Sequence, residues 1–303
     1  MNRCWRSLAF VASLGAASVA SSPGERAPQL AQAPAAKAQA FESLAKSQKP
    51  SDWLILGTRY LYGDDVPKDE AAGVRWITRA AEAGDAKAQG VLGIMYQLGV
   101  GVSADNKRAL DWLRKGAAQG DPAALTNLGI AYRDGAGVGK DAVRALELFR
   151  KAAELGDAEA QWEVAIAYTR GRGVAQDTAT ALTWAKRAAD KGHPEAQVFM
   201  GLFHITPGSP DVDLKKAAEW FRKAARAGDE HGQYQLALAY RDGAGVPRDL
   251  VLAHAWLTLA ARQQGSRLPA RDLAALEKTL APEAIARSKR LSGAWKSGSD
   301  LAR

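Results

Sequence analysis

The chain holds almost no cysteine: Cys4 is the only one among 303 residues. Cys4 lies in an N-terminal segment with the layout of a signal peptide, and removal of that segment would leave a mature chain without a thiol. Such a chain can form no disulfide, no thiolate metal site and no cysteine nucleophile.

Histidine is also scarce, and no two histidines have the spacing of metal ligands. The four are His193, His204, His231 and His254. An H-E-x-x-H sequence, a G-x-S-x-G nucleophile turn and a phosphate-binding P-loop are all missing. We therefore predict no metal, no cofactor and no enzymatic activity.

Long runs of one charge are missing as well, although the net charge is +8. Basic residues recur at intervals that are multiples of 36, at Arg79, Lys115, Lys151, Arg187 and Lys223. Acidic residues lie among them, so we interpret these positions as a solvated face. Since no nucleic-acid-binding motif is present, we expect no nucleic-acid partner.

What the chain does have is a period of 36 residues between Trp53 and Ala261. Steps of 36 from Asp69 meet aspartate each time up to Asp249, and steps from Ala81 meet alanine each time. An aromatic column runs Tyr60, Tyr96, Tyr132, Tyr168, His204, Tyr240, and a second runs Trp76, Trp112, Leu148, Trp184, Trp220, Trp256. A fixed period of this length is the signature of a solenoid.

One period predicts a pair of helices. In 85–120, apolar residues at helical spacing form helix A, a glycine-rich turn follows Leu98, and Asp105 opens helix B. Gly120 is placed to end helix B in the left-handed conformation, and Asp121 to cap the next helix A. Small residues three before the tyrosine, such as Gly93, let helix B lie close. We interpret the recurring tryptophans as core.

The repeat resembles the Sel-one-like repeat (SLR) family, a longer relative of the tetratricopeptide repeat. In the third repeat its motif is met by Ala124, Leu128, Gly129, Tyr132, Gly135, Gly137, Val138, Asp141, Ala145, Ala152, Ala153 and Gly156. The resemblance implies an all-α fold: a right-handed α-solenoid of six 36-residue helix-turn-helix repeats. A C-terminal pair of helices, predicted over 267–280 and 282–295, would cap it.

The N-terminus predicts export. Arg3 and Arg6 precede an apolar stretch that ends in the small residues Ser18-Val19-Ala20, as in a secretory signal peptide. Roughly 12 apolar residues are too few for an ordinary membrane span. We expect cleavage and a periplasmic or secreted chain without a membrane span; the alternative is an uncleaved anchor.

Four segments follow. They are a signal peptide over 1–20, an Ala/Pro/Gln-rich linker over 21–48 with room for a short capping helix, six repeats over 49–265, and capping helices with a frayed tail over 266–303. The fifth repeat replaces its tyrosine and glycine turn by a segment that contains His204, Pro207 and Pro210. This segment is either a loop that contacts a partner or a drifted turn in which His204 packs in place of tyrosine.

A partner-binding groove is predicted from large side chains at non-recurring positions of helix A. By resemblance to tetratricopeptide repeats these columns face the concave groove. The candidates are Arg133, Asp134, Trp162, Arg170, Tyr234, Arg241 and Asp242. Arginine and aromatic residues are frequent in binding hot spots. For Trp162 and Tyr234 the alternative is packing within the fold.

The family resemblance implies a non-enzymatic scaffold or adaptor of the cell envelope that binds a peptide or a protein domain. The alternative is a binding module for cell-wall or exopolysaccharide fragments. A mixed-charge groove would favour a peptide, and an exposed aromatic stripe a glycan. A hydrolase of β-lactam or wall substrates, as among cysteine-rich relatives, is disfavoured by the missing cysteines and the missing nucleophile–base pair.

Overall fold

The computed structural model describes residues 42–263 and 267–301. The predicted signal peptide over 1–20 and the linker as far as residue 41 lie outside the described residues. Residues 42–46 are helical, within the segment expected to form a short capping helix. The regular structure of the described residues is helical throughout.

The chain divides into two compact units, one before and one after the boundary between Asp157 and Ala158. The first unit contains α1 (Pro50–Tyr62), α2 (Glu70–Glu82), α3 (Ala86–Leu98), α4 (Asn106–Ala118), α5 (Pro122–Asp134) and α6 (Ala142–Glu154). The second contains α7 (Ala158–Arg170), α8 (Thr178–Asp190), α9 (Pro194–Ile205), α10 (Leu214–Arg226), α11 (Glu230–Asp242), α12 (Leu250–Ala261), α13 (Leu268–Glu277) and α14 (Pro282–Ala294). Six successive helix pairs therefore confirm the predicted repeats.

The recurring aspartates cap the second helix of each pair. The side chain of Asp105, for example, accepts hydrogen bonds from the backbone amides of Lys107 and Arg108. The amide of Asp105 itself donates to the carbonyl oxygen of Tyr96, at 2.9 Å. The same backbone bond closes every repeat, and in the fifth it joins Asp213 to His204 at 2.9 Å. Each turn is thus tied to the position that the tyrosine column occupies.

The glycine turns have the backbone that the sequence predicts. Gly99 and Gly101 have φ of 69° and 65°, in the left-handed region that favours glycine. The first repeat has aspartate where the second of these glycines belongs, and Asp65 adopts a positive φ of 62° although it is not glycine. The small residues of helix A also have the predicted role, since a Cβ at Gly129 would lie 2.6 Å from the Phe149 ring.

The recurring tryptophans, interpreted as core, all pack with the core clusters, but they differ in how deeply they are buried. Trp256 is fully buried, whereas Trp76, Trp112, Trp184 and Trp220 are only half-buried. Each of those four has a cation three residues later that covers its ring, as Lys223 does over Trp220 at 3.8 Å from the ring centroid. The recurring basic residues therefore shield tryptophans at the edge of the core by cation–π contacts.

The C-terminal helix pair packs on α12, close to its predicted boundaries. The segment after α14 differs from the frayed tail that the sequence predicts. The amide of Gly298 donates to the carbonyl oxygen of Arg226, the guanidinium of Arg226 donates back to the carbonyl of Gly298, and the Leu301 side chain is buried. Two arginines of α10 hold this tail, because Arg222 also lies 3.5 Å from the Asp300 carboxylate.

Candidate functional site

Trp162, on α7, reaches the start of the next helix A. Its indole N–H donates to Oε2 of Glu195 on α9 at 3.0 Å. Its ring lies 5.7 Å from the His193 ring and 5.5 Å from the Phe199 ring, centroid to centroid. Trp162 is half-buried and also packs against the apolar core of the second unit. Its role as a partner anchor stays a prediction.

The Trp162 ring contacts an imidazole at the start of α9 because His193 occupies the N-cap position of that helix. In α3, α5 and α11 this position is taken by aspartate, and in α9 Nδ1 of His193 accepts from the amide of Ala196 at 3.3 Å. Nδ1 must carry the lone pair in this arrangement, so Nε2 carries the proton and faces Oε2 of Glu159 at 3.1 Å. An imidazole thus replaces the usual cap oxygen.

Tyr234, Arg241 and Asp242 come together with two residues of α13, and we call these five residues the α11–α13 cluster. The hydroxyl of Tyr234 donates to Oδ2 of Asp272 at 2.7 Å. Arg241 makes two hydrogen bonds to the carboxylate of Asp242, at 2.7 and 2.8 Å. Arg271 donates to Oδ1 of Asp272 at 3.0 Å. The cluster joins three predicted groove residues to two that the sequence analysis missed.

Burial and hydrogen bonds shift the pKa values of three groups in this cluster. Burial raises the pKa of Tyr234, and its hydrogen bond to Asp272 raises it further. Burial acts upward on Asp272 too, but hydrogen bonds from Tyr234 and Arg271 and the nearby guanidinium charges outweigh it, and its pKa lies below the usual range. The hydrogen bond from Arg241 likewise lowers the pKa of Asp242. At neutral pH the cluster therefore presents two carboxylates, two guanidinium groups and a neutral phenol.

Arg133 and Asp134 repeat part of this arrangement in the first unit. Residues 131–138 and 239–246 have the same sequence, AYRDGAGV. The guanidinium of Arg133 binds the Asp134 carboxylate at 2.7 and 2.6 Å, as Arg241 binds Asp242. The pairing is thus a local property of the Arg-Asp-Gly turn, whereas the cluster also needs α13.

Arg170 ends α7 about two helical turns from Trp162. Its side chain is exposed, and it makes no hydrogen bond or ion pair to any residue that the structure describes. It is the most accessible of the predicted cationic groove residues. The structure does not bring it into the α11–α13 cluster.

The fifth-repeat loop places its three candidates differently. His204 is buried in the position of the tyrosine column, with Nδ1 2.8 Å from the carbonyl oxygen of Asp211. Pro207 and Pro210 are exposed. His204 therefore packs as the drifted-turn alternative describes, while the two prolines lie at the surface.

A buried polar chain on α12, α13 and α14 escaped the sequence analysis. Nδ1 of His254 lies 2.7 Å from Oγ of Ser288, and Nε2 lies 3.2 Å from Oε1 of Glu277. The order serine–histidine–glutamate is that of a hydrolase triad, but both Ser288 and His254 are fully buried, so no substrate can reach the hydroxyl. We interpret these buried hydrogen bonds as structural: they join the last repeat to its two capping helices. The one sequence signal for them is His254, which together with Thr258 interrupts the otherwise apolar helix α12.

Among the described residues, no three histidine, cysteine, aspartate or glutamate side chains gather as they would around a metal ion. Among them, too, every helix is too short or too polar to cross a bilayer.

Comparison with known proteins gives a consistent result. The Sel1 repeat family model matches residues 54–85, 86–121, 122–157, 158–193, 194–229 and 231–264. A Sel1 repeat protein from Oxalobacter formigenes is 30% identical with a TM-score of 0.69, over 90% of this chain and 76% of its own. A protective antigen of uropathogenic Escherichia coli strains, which displays an SLR fold, is 33% identical over 84% of this chain with a TM-score of 0.66. The match spans only 56% of that antigen's length. The search of curated proteins gave no match.

Proposed function

Since this chain belongs to the Sel1 repeat family, we propose that it is a non-enzymatic adaptor of the bacterial cell envelope that binds a peptide or a protein domain. Sel1 repeats are generally protein–protein interaction modules. The envelope location rests on the signal-like segment over residues 1–20. The binding surface in the proposal is the α11–α13 cluster, with Arg170 as a further contact on α7.

The observation that supports this surface is the cluster itself. Tyr234, Arg241 and Asp242 lie at positions of helix A whose residue type varies among the repeats; Tyr234 binds Asp272 of α13, and Arg241, paired with Asp242, lies near the same carboxylate. Residues that only maintain a repeat recur in every copy, whereas this constellation occurs at one end of the second unit. Tyrosine and arginine held in place by hydrogen bonds suit a hot spot, since little conformational entropy is lost on binding.

The chemistry of the cluster favours a peptide over a glycan. Two arginines and two aspartates give alternating charge that can pair with backbone and side-chain groups of a polypeptide. Glycan recognition would use exposed aromatic faces, but the rings of Tyr234 and Trp162 are half-buried and pack against the apolar core.

The test is crosslinked capture from intact cells with the full chain as bait. The double variant Arg241→Ala, Arg271→Ala removes both cations of the cluster and leaves the core intact. The matched control is Arg75→Ala, Arg290→Ala, which removes two exposed arginines outside the cluster. We expect an envelope protein to be captured by wild type and control and lost with the cluster variant. The purified partner should then bind the cluster variant at least tenfold more weakly, which is about 1.4 kcal/mol.

Other outcomes would show which part of the proposal is wrong: the binding surface, the class of partner or the cleavage of the N-terminal segment. Equal capture by all three baits would show that the cluster is not the binding surface, and the exposed loop with Pro207 and Pro210 would be tested next. Capture of wall glycan without protein would replace the adaptor by the glycan-binding alternative. The mass of the chain recovered from the periplasm should correspond to cleavage after Ala20, and an intact N-terminus would support the anchor instead.

A further inference from the structure

A cleft of about 560 Å³ lies in the first unit, between α4, α5 and α6. Arg114, Lys151 and Glu154 line it, and Arg114 is paired with Asp111 at 3.5 Å. Its volume is in the range of sites that receive a ligand. Four leucines form an apolar part of its wall: Leu125, Leu128, Leu148 and Leu155.

Three of these leucines depart from the repeat. Leu148 stands in the tryptophan column. Leu155 stands where the second and sixth repeats have Gln119 and Gln263, and it is 59% exposed. Leu125 stands where the other repeats after the first have glutamine: Gln89, Gln161, Gln197 and Gln233.

The glutamines that two of these leucines replace form a pair in other repeats. Nε2 of Gln119 donates to Oε1 of Gln89 at 2.9 Å, and Gln263 donates to Gln233 in the same way at 2.9 Å. The third repeat therefore has two leucines in place of a polar pair and a third in place of an indole. A single exposed leucine is ordinary, but three apolar departures that line one cleft indicate a binding surface.

The tryptophan column indicates what fits this cleft. Lys115 lies 4.1 Å from the centroid of the Trp112 ring, and three other repeats have the same kind of contact. The third repeat keeps the cation, Lys151, while Leu148 supplies no ring. Within the part of the chain that the structure describes, the Lys151 ammonium has no aromatic or ion-pair partner. Its charge complements the electron-rich face of an aromatic ring.

We propose that this cleft binds the indole side chain of a tryptophan in a peptide segment of a partner protein. The ring lies against the apolar wall at Leu148 and Leu155, and Lys151 lies over its face. The class of partner, a polypeptide, rests on the proposed function. The surface is separate from the α11–α13 cluster, so different variants test the two.

The test titrates the full chain, followed by NMR, with acetylated and amidated pentapeptides Gly-Ser-X-Ser-Gly in which X is tryptophan, cyclohexylalanine or alanine. Because one side chain anchors the probe, we expect the tryptophan peptide to bind with a Kd of about 1 mM. Cyclohexylalanine offers apolar bulk without a π face and should bind roughly threefold more weakly. The alanine peptide should not bind detectably. The amide shifts should be confined to α4, α5 and α6.

Three variants locate the site. Lys151→Gln should weaken binding of the tryptophan peptide about threefold and remove its preference over cyclohexylalanine. Leu148→Trp supplies the ring from the chain itself and should weaken binding roughly tenfold or more, because the probe and the new side chain compete for one space. The double variant Leu125→Gln, Leu155→Gln restores the polar pair and should weaken binding severalfold, so it serves even if the ring at position 148 stays outside the cleft. The matched control, Lys223→Gln in the second unit, should change nothing.

Several outcomes would overturn the proposal. They are equal binding of tryptophan and cyclohexylalanine, no binding at about 10 mM, and affinities that the three variants leave unchanged. Sedimentation equilibrium tests another occupant, since a wild-type dimer that Leu148→Trp dissociates would place a second copy of this chain in the cleft instead. The α11–α13 cluster is intact in all of these variants, so failure here is distinguishable from failure of the adaptor function.

Discussion

The third and fifth repeats carry clefts at corresponding positions, 72 residues apart, and the clefts differ in where their space lies. Arg114, Leu128, Leu148 and Lys151 line the one in the first unit, and Lys186, Met200, Trp220 and Lys223 take the same places in the second. The volumes are similar, about 560 and 520 Å³.

Each repeat departs from the pattern at a different position. In the third repeat Leu148 replaces the tryptophan, and the space extends toward Gly120 and the exposed Leu155 at the ends of the second helices. In the fifth repeat Trp220 is present, and the space lies at the loop, beside His204. One cleft is thus a place where a large apolar residue is missing, and the other has a polar wall. Loss of the tryptophan ring leaves a cleft that Arg114 and Lys151 still line, whereas the changed turn adds His204 and Asp211 to the wall of the other cleft.

The largest expected effect on stability concerns a feature that both repeats share, a buried phenylalanine packed against a glycine of helix A. Phe149 and Phe221 are buried against Gly129 and Gly201 of the preceding helix. Phe149→Ala and Phe221→Ala should each lower the free energy of unfolding by about 3–5 kcal/mol, because a large buried ring is removed and a cavity remains. Urea denaturation of the full chain measures both. If Phe221→Ala lowers the free energy of unfolding much less than Phe149→Ala does, the changed loop loosens the packing of the whole fifth repeat. That result would contradict our interpretation that the two repeats share the same core packing.

A smaller effect should follow from exchange of the residues that distinguish the clefts. Leu148→Trp recreates the tryptophan with Lys151 three residues later and should stabilise the chain by about 0.5–1 kcal/mol through a new cation–π contact. Trp220→Leu removes such a contact and should cost at least as much. Thermal and urea unfolding report both changes. If Leu148→Trp is destabilising, the first-unit cleft is too narrow for the ring and the correspondence of the two clefts fails.

The periodic part of the fold was predictable because every repeat gives the same side chain the same surroundings. Asp105 was identified as a cap and Gly99 as a turn residue from their recurrence, and both predictions are confirmed. Even the exception in the first repeat, at Asp65, was visible as a break in the period. The tryptophans show the limit of this argument, since recurrence indicates a constant environment without showing whether it is buried.

The candidate site depends on contacts that no period reports. Asp272 lies on α13, outside the repeats, and nothing in the sequence marks it as the partner of Tyr234 across 38 positions. The contact of the tail with Arg226 and the link from His254 to Ser288 have the same origin. Each joins a repeat to a segment that occurs once, so only the folded chain shows which residues meet.

The smallest effect concerns the caps that precede the two repeats, Asp121 and His193. Burial raises the pKa of Asp121, with the charges of Asp157 and Asp85 acting in the same direction against the hydrogen bond from Ala124 and the charge of Lys87. A carboxyl whose pKa is higher in the folded state stabilises the fold at low pH, and this contribution is lost as the pH rises through the folded pKa. Asparagine caps a helix about as well and does not titrate.

Asp121→Asn should therefore leave stability nearly unchanged at about pH 4 and raise it slightly at about pH 7, as measured by urea unfolding at both values. The counterpart His193→Asn also keeps a cap acceptor but loses the contact with Glu159 and the ring against Trp162, so it should be destabilising at pH 7. An Asp121→Asn gain that is the same at both pH values would show that desolvation of the carboxylate is not its source. If Asp121→Asn stabilises the fold at pH 7 and His193→Asn destabilises it, the buried carboxylate of the third repeat lowers stability. The imidazole of the fifth repeat would instead contribute to stability through its packing.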